Sequence, residues 1–495
     1  MSPQNSNHFR SLTSIEQLQS DLLNGSMTVG DAFEDCVSFI NETNATYRYL
    51  TYLDECALSS YERSRVSSEK FEQRSLLDGV AVLVKDNIDS ADMPTTAGSL
   101  VLAQLPHPRS DAPVLAALRA AGCIVMGKAN LSEWSNFRGS NSISGWSAVG
   151  GQCANALNPR RSPGGSSSGS AVAVSLGVVR IAVGTETDGS LMCPASFNGV
   201  AALKPTHGVL STKGVVPIAK SQDTVGPIAR SILDLSRAFI TMAGLKNPFS
   251  LFDSIKEYTK ETFETTKTPR IGVASSSLFG YHVRTDEIVN ATLKELSKRL
   301  DVVYDCDSGE RNALRVSSEL EYEVLLNEFA YGIEEYLASR SLPSHVTGRA
   351  LNWLVNENRA LKDKEMGLFG QELFESALER PSDLSSLRYL QALATNRSNA
   401  IRRLDRAFST YSLDVIAAPT ISPAPLIDER LGDFVLGAGY SIAAVSGYPS
   451  LTMPVGDIDG LPVGLLLIGK PKQEIELLSI AAVIEDFIAF EHNGS

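Results

Sequence analysis

The sequence predicts an α/β protein with a central, mostly parallel mixed β-sheet that α-helices cover on both sides. Short apolar strands alternate with helical segments along most of the chain, as in proteins built on parallel sheets. The 495 residues are 43% hydrophobic and 20% charged, which is enough apolar material for a large packed core. Because no glycine/serine linker and no repeat is visible, we expect one domain over residues 1–495.

Four segments of this domain differ in pattern. Helices with polar faces are expected over about residues 10–65. Alternating strands and helices over about residues 70–240 predict the core of the sheet. About residues 317–408 carry helical patterns only and are expected to form an insertion over the sheet. Strand patterns then return over about residues 410–490, together with a final helix.

Individual elements are placed by apolar runs and by the residues that begin or end helices. One helix contains Pro113 in its first turn and stops at Gly122, and another, of small residues, is closed by Gly177. Ser231 caps a helix that runs to Met242. The predicted helices cover residues 14–44 (in more than one piece), 111–121, 168–176, 232–242 and 285–300. The predicted strands cover residues 80–84, 123–126, 178–183, 270–274, 302–304, 415–418 and 461–468.

Charge and composition exclude several classes of function. The net charge is −13 and the pI is near 5.1, so the surface repels phosphates and a nucleic acid is not expected as a ligand. The longest apolar run, residues 171–182, is too short to span a bilayer, and the N-terminus lacks the apolar stretch of a secretory signal. The six scattered cysteines form neither a CxxC pair nor a zinc spacing, which favours a reducing, cytoplasmic location.

The residues with the clearest chemical potential are two serines on glycine-containing loops and one lysine. Ser190 ends the motif GTETDGS (184–190), and Ser166 lies in GGSSSGS (164–170). Lys85 follows an apolar strand, so its stem is expected to be buried and its pKa lowered. A neutral lysine can accept a serine proton, and Gly189 lets consecutive N–H groups converge on an oxyanion. Together these residues supply a nucleophile, a relay and a base for amide hydrolysis without a histidine.

Other interpretations of the same residues are weaker. The segment 165–169 matches G-x-S-x-G, but no apolar strand precedes it, and the Lys-Ser/Thr pair of a phosphate loop is missing. A flexible linker, a polar loop at a strand end, and a lysine whose ammonium lies in water are the structural alternatives. A Ser-His-Asp triad would have to use His207, His282 or His345, none of which lies in a suggestive motif.

Several long motifs in the same order resemble the amidase signature family, and most closely its peptide-amidase-like branch. The resemblance covers most of residues 70–240 and 410–470. The matching stretches are KDNI (85–88), NLSEWSNFRG (130–139), SISGWS (142–147), SPGGSSSGSAVAV (162–174), GTETDGSLMCPASFNGVAALKPT (184–206), SQDTVGPIAR (221–230), APT (418–420) and GYPSLTMPVG (447–456). The family implies an α/β fold whose helical insertion lies on the substrate side.

The resemblance assigns a role to each matching position. It implies that Lys85 is the catalytic lysine, that Ser166 is the bridging serine with a cis peptide bond before it, and that Ser190 is the nucleophile. The oxyanion would be bound by the backbone N–H groups of Thr187, Asp188, Gly189 and Ser190. Much of the family has GTDTGGS at this loop, whereas this chain has Glu186 and Asp188. The peptide-amidase-like branch shares ETDGS, which argues against close kinship with the A-type subunits of tRNA-dependent amidotransferases.

The resemblance therefore predicts an amidase that converts a carboxamide to a carboxylic acid and ammonia through an acyl-enzyme. It implies a primary amide or a C-terminal peptide amide as substrate, a monomer or homodimer, and no metal or organic cofactor. Two alternatives stay open at this stage. One is an amidotransferase A-type subunit that works within a complex, and the other is a non-catalytic binding protein on the same fold. The sequence does not identify the amide.

Overall fold

The α/β fold is confirmed by a computed structural model, which describes residues 12–64, 71–264 and 268–493. Residues 10, 11 and 65 of the predicted N-terminal helical segment lie outside the described residues. The strands are β1 (Leu50–Leu53), β2 (Ala81–Lys85), β3 (Ile124–Ala129), β4 (Trp146–Ser147), β5 (Gly151–Gln152), β6 (Ile181–Glu186), β7 (Ala201–Lys204), β8 (Thr224–Ala229), β9 (Arg270–Val273), β10 (Asp301–Val303), β11 (Val415–Pro419), β12 (Ser450–Ile458) and β13 (Leu461–Ile468).

The helices occupy the N-terminus, the crossovers between strands, and a long continuous segment after β10. They are α1 (Ile15–Asn24), α2 (Val29–Tyr47), α3 (Ala57–Ser64), α4 (Leu100–Ala103), α5 (Pro113–Ala120), α6 (Ser168–Leu176), α7 (Met192–Phe197), α8 (Ile232–Met242), α9 (Pro248–Glu264), α10 (Val283–Leu296), α11 (Ser318–Ser339), α12 (Ala350–Ala360), α13 (Lys362–Glu365), α14 (Glu372–Leu378), α15 (Leu387–Tyr411), α16 (Ser441–Ser446) and α17 (Glu474–Asn493). No described helix is long and apolar enough to cross a membrane.

One eleven-stranded mixed sheet forms the centre of the molecule, in the order β1-β3-β2-β6-β8-β7-β12-β13-β11-β9-β10. Parallel pairing occurs in two blocks, β3-β2-β6 and β11-β9-β10. The strands between these blocks, and the edge pair β1-β3, are antiparallel. The predicted parallel pairing therefore describes the two blocks, whereas the pairs between them, including the β12-β13 hairpin, are antiparallel.

Several predicted boundaries shift, and β6 shows why. The apolar run at residues 178–183 predicted this strand, but the strand begins at Ile181. Gly177 adopts a positive φ of 83°, and the N–H of Val178 then donates to the carbonyl of Ala173. The backbone N–H of Val178 is thus used to cap the C-terminal end of α6 and is not available for the strand. The sequence analysis did not predict β1, β7, β8 or β12 as strands.

The helices α11–α15 lie in residues 317–408, where a helical segment was predicted. That this segment is an insertion stays a prediction. Apolar side chains of α11, α12 and α14 form a second hydrophobic cluster with residues near Trp134 and Phe137. Arg138, which is fully buried, connects this segment to the sheet region. Its guanidinium pairs with Glu133 at 2.6 Å and donates to the carbonyls of Phe369 and Gly370 at 3.0 and 2.8 Å. That the whole chain forms one domain stays a prediction.

The sheet topology places the predicted site at one edge. Because β2 and β6 are parallel neighbours, their carboxyl ends lie side by side. Lys85 is the last residue of β2, and residues 187–190 follow β6 directly. The chain leading into α6 brings Ser166 to the same edge, where α/β proteins usually bind ligands.

Candidate active site

A short hydrogen bond in the site joins Lys85 to Ser166. The Lys85 side chain is fully buried, and its Nζ lies 2.7 Å from Ser166 Oγ. The same Nζ lies 2.8 Å from Thr185 Oγ1 and 3.4 Å from the Thr185 carbonyl oxygen. A neutral amine can donate its two hydrogens to the two Thr185 oxygens, which leaves its lone pair for the Ser166 hydroxyl.

Thr185 is held in turn by Asn87, whose Nδ2 donates to Thr185 Oγ1 at 3.0 Å. Sequence reasoning assigned no role to either residue. Asn87 belongs to the KDNI motif and Thr185 to GTETDGS, so both lay inside motifs that had already been identified. The residue type alone did not indicate a role, because threonine is common in strands and at their ends. Both orient the amine of Lys85.

The loop that carries Ser166 is rigidly held and buried, which rules out a flexible linker. A cis peptide bond joins Gly165 to Ser166, as the resemblance implied. A Cβ at Gly165 would lie 2.2 Å from Ser132 Oγ, so only glycine fits there. Ser167 Oγ donates to the Thr185 carbonyl at 3.0 Å, and the Ser170 hydroxyl donates to the Val183 carbonyl at 3.1 Å. These two hydrogen bonds hold the loop and the start of α6 against β6.

Ser190 lies in the neighbouring loop, at the start of the turn into α7. Its carbonyl accepts a hydrogen bond from the Ser167 N–H at 3.1 Å, which joins the two serine loops through their backbones. Among the described residues, no hydrogen bond links the Ser190 and Ser166 hydroxyls, so the structure brings Lys85 and Ser166 into contact and places Ser190 in the adjoining loop. Gly189 has a φ of 79°, and a Cβ there would lie 2.2 Å from the Tyr440 ring.

Acidic side chains surround the loop of Ser190. Glu186 accepts hydrogen bonds from the N–H groups of Leu191 and Met192 at 2.8 and 3.0 Å, which fixes the start of α7. Thr187 Oγ1 donates to Asp223 at 2.5 Å. The second oxygen of Asp223 accepts from the N–H groups of residues 218 and 219.

The side chain of Asp188 faces residues from two distant parts of the chain. Ser441 Oγ donates to its Oδ2 at 2.9 Å, and the carboxyl of Glu321 lies close enough to interact with it. Glu321 comes from α11, so the predicted helical insertion reaches the loop of Ser190. No sequence signal identified Glu321, because it lies far along the chain in the segment that resembles the family least.

Burial controls the charges of the site. It lowers the pKa of Lys85 to about 7, although the carboxyls of Asp223 and Glu186 favour the ammonium form. Burial also raises the pKa of Asp223 to about 6 and raises the pKa of Glu186 above its usual value. Lys85 makes no direct contact with a carboxylate among the described residues, which explains why desolvation dominates.

The histidines do not supply an alternative base at this position. His207 Nε2 contacts the carbonyl of Lys220 at 2.8 Å, and its backbone N–H donates to the Gly447 carbonyl. His282 caps α10 through Thr285. His345 is exposed. Within the described residues none of the three forms a hydrogen bond with Ser166 or Ser190.

Comparison with known proteins places this geometry in context. The family model described as Amidase matches residues 31–478. A solved structure of the peptide amidase PAM with the competitive inhibitor chymostatin has a TM-score of 0.85 and 36% identity, over 96% of this chain and 97% of that one. The native peptide amidase from Stenotrophomonas maltophilia has a TM-score of 0.83 and 35% identity, over 97% of each chain. The A-type subunit of the glutamyl-tRNA(Gln) amidotransferase from Methanosarcina barkeri is 31% identical, over 90% of this chain and 94% of its own.

Proposed function

The chain belongs to the amidase family and is an amide hydrolase, and we propose that it cleaves a carboxamide through Lys85, Ser166 and Ser190. The observation that carries this proposal is the 2.7 Å contact between Lys85 Nζ and Ser166 Oγ in a fully buried setting. A lysine whose pKa is about 7 is neutral in a large fraction of molecules at neutral pH. It can therefore act as a base where a charged lysine cannot.

The acylation step moves one proton along the relay. Ser190 Oγ attacks the carbonyl carbon while its proton passes to Ser166 Oγ, and the Ser166 proton passes to Lys85 Nζ. A new C–O bond forms, and the carbonyl electrons move onto oxygen. The backbone N–H groups of Thr187, Asp188, Gly189 and Ser190 are the proposed donors to that oxyanion.

Collapse of the tetrahedral intermediate breaks the C–N bond. The relay returns its proton to the leaving nitrogen, which departs as ammonia and leaves the acyl group on Ser190. Water then attacks the ester with the same relay as base, and the carboxylic acid is released. The proton that leaves with ammonia is replaced by one from the attacking water, so Lys85, Ser166 and Ser190 end the cycle in their starting protonation states.

Similar proteins of known structure support a proposal for the substrate class. We propose a primary carboxamide, either of a small molecule or at the C-terminus of a short peptide, because two of the similar structures are peptide amidases. Small-molecule or short-peptide amides are the proposed ligands, with the protein as a monomer or homodimer. A cytoplasmic location stays a prediction.

A panel assay tests the proposed function. The purified chain is incubated with peptide carboxamides, aryl amides and aliphatic amides, and the released ammonia is measured. We expect ammonia from at least one class in the absence of any partner protein. A panel on which the folded chain releases no ammonia would contradict the proposal.

An amidotransferase A-type subunit is the second candidate, favoured by the 31% identity to the Methanosarcina barkeri protein. Such a subunit would deliver ammonia to a partner enzyme. Free glutamine, tested beside the panel, would then be the preferred substrate. A preference for peptide carboxamides over free glutamine supports the first candidate.

A further inference from the structure

The loop of Ser190 is attached to the helical segment by a pair of facing carboxyls. Glu321 lies near the start of α11 and is 7% exposed. Its carboxyl faces the carboxyl of Asp188, two residues before Ser190, closely enough for the two groups to interact. Gln222 spans the same gap, because its Nε2 lies 2.8 Å from Glu321 Oε1 and 3.3 Å from the Thr187 carbonyl oxygen.

The pairing of Asp188 with Glu321 requires a proton. Asp188 Oδ1 is buried and, among the described residues, no N–H or hydroxyl group of the chain donates to it. Two ionised carboxylates in contact repel each other, and burial penalises both charges. One proton held between them turns the contact into a hydrogen bond and leaves a single negative charge, which the Ser441 hydroxyl and the Gln222 amide also contact.

This attachment acts on the atoms that bind the oxyanion. The backbone of Thr187 is held through its carbonyl by Gln222, and the backbone of Asp188 through its own side chain. The N–H groups of these two residues are among the proposed oxyanion donors. Displacing such donors by about 1 Å can lower the rate by about 100-fold.

We propose that Glu321 is a positioning residue which, through a proton shared with Asp188 and through Gln222, holds the oxyanion loop against α11. This inference rests on the proposed function, since it concerns the same loop. The residues that support catalysis would then include one from the helical segment as well as those at the edge of the sheet. It also makes catalysis sensitive to alkaline pH, because loss of the shared proton leaves two repelling carboxylates.

Other charged groups face the pair and bear on its titration. Burial raises the pKa of both Asp188 and Glu321. The charge of Glu321 raises the pKa of Asp188 further, whereas the interaction with Asp188 lowers the pKa of Glu321. The groups that contribute to the electrostatics of Asp188 are Glu186 before the loop, Lys204 at the end of β7 and Tyr440 before α16. Lys204 favours the ionised form of Asp188, and burial lowers the pKa of Lys204 to about 8.

Glutamine and alanine substitutions at residue 321 separate this role from a merely structural one. Glu321→Gln keeps the shape, because its oxygen can accept from Gln222 and its amide can donate to Asp188 at every pH. Glu321→Ala leaves both partners unpaired. Glu319→Gln is the matched control, since Glu319 is an exposed glutamate in the first turn of the same helix.

Steady-state rates on the best amide of the panel are measured from about pH 5 to 11. We expect Glu321→Ala to lower kcat by about 10- to 100-fold with a smaller change in KM, and Glu321→Gln to restore most of kcat. The wild-type protein and Glu319→Gln should lose activity at the alkaline end, whereas Glu321→Gln should not. An alkaline profile shared by wild type and Glu321→Gln, or an alanine variant as active as Glu319→Gln, would overturn the inference.

Two further measurements keep the outcome interpretable. Circular dichroism shows whether each variant is folded. If Glu321→Ala does not fold, the inference is tested by comparing the activity of Glu321→Gln with that of the wild type at alkaline pH. A wild-type protein that releases no ammonia contradicts the proposed function instead. In that case the rate at which a fluorophosphonate labels Ser190 still reports the position of the loop, and equal rates in wild type and Glu321→Gln across alkaline pH overturn the inference alone.

Discussion

Two fully buried lysines on adjacent strands, Lys85 at the end of β2 and Lys128 in β3, have contrasting partners. Lys85 Nζ contacts the Ser166 and Thr185 hydroxyls at 2.7 and 2.8 Å. Lys128 Nζ contacts the Ile88 carbonyl at 2.5 Å, the Thr95 hydroxyl at 2.9 Å and Asp86 Oδ1 at 3.7 Å. Burial lowers the pKa of both lysines.

The two sites differ in whether a carboxylate contacts the lysine. Asp86 favours the charged form of Lys128, and the pair and its hydrogen bonds form a closed polar network between strands and loops. Lys85 has no such neighbour in contact among the described residues, and its hydroxyl partners can both accept and donate. Burial therefore makes one lysine available as a base, while a paired carboxylate makes the other a structural element. Substitutions in the Lys85 site should abolish amidase activity and leave the stability of the fold unchanged. Substitutions in the Lys128 site should lower the stability of the fold and leave the catalytic groups in place.

The largest expected effect concerns the nucleophile. Ser190→Ala should lower the amidase rate by at least about 10³-fold, because residues that act as a unit are not replaced by their neighbours. Its thermal stability should stay close to that of the wild type, since the Ser190 contact with the Ser167 N–H uses the backbone. Fluorophosphonate labelling followed by mass spectrometry should find the adduct on Ser190. An adduct on Ser167 with Ser190 unmodified would assign the nucleophile elsewhere.

The opposite behaviour is expected for Lys128→Met. Removal of the amine leaves Asp86 buried without its cation, so the free energy of unfolding should fall by about 3–5 kcal/mol. Burial raises the pKa of Asp86 in the folded protein, and loss of Lys128 raises it further. The destabilisation should therefore be largest at alkaline pH and decrease as the pH falls and Asp86 takes up a proton.

Urea unfolding of wild type and Lys128→Met at several pH values measures this effect. Lys246→Met, at an exposed lysine, is the control and should be neutral at every pH. Addition of Asp86→Asn to Lys128→Met should recover part of the stability. A Lys128→Met protein as stable as the Lys246→Met control would remove the contrast between the two lysines.

A smaller effect is expected at Asp188. Asp188→Gly keeps the backbone N–H proposed for the oxyanion and should keep measurable amidase activity. It removes the contacts with Ser441 and Glu321, so a loss of about tenfold or more in kcat is expected. Because both changes break the same attachment, the loss in Asp188→Gly combined with Glu321→Ala should be less than additive. A complete loss in correctly folded Asp188→Gly would instead give the carboxylate a direct role.

The sequence predicted the local parts of this molecule well. Lys85 at the end of an apolar strand and the cis peptide before Ser166 are both found in the structure. The turn between β12 and β13 has a hairpin signal in the sequence, although the sequence analysis did not predict a hairpin there. Asp459-Gly460 has positive φ at both residues, as a two-residue hairpin turn requires, and apolar residues flank it.

The remaining parts depend on contacts between distant residues. The contacts of Thr187 with Asp223 and of Asp188 with Glu321 join residues that lie far apart in the sequence. Neither contact produces a periodic pattern, and acidic residues on a helix are usually solvated. The antiparallel middle of the sheet was equally hidden, because the sequence shows strands but not their order. These features follow only from the folded arrangement.

The pH dependence of amide cleavage tests the central claim, that buried Lys85 is the base, most directly. kcat/KM is measured from about pH 5 to 10 for a matched amide and ester, in wild type and Lys85→Ala. Because the pKa of Lys85 is about 7, wild-type activity should rise with pH through that region as the amine becomes neutral. Lys85→Ala should lose this rise and should lose more activity on the amide than on the ester, since the leaving amine needs a proton. An unchanged acidic limb in Lys85→Ala would contradict the account and make His207 the next residue to test.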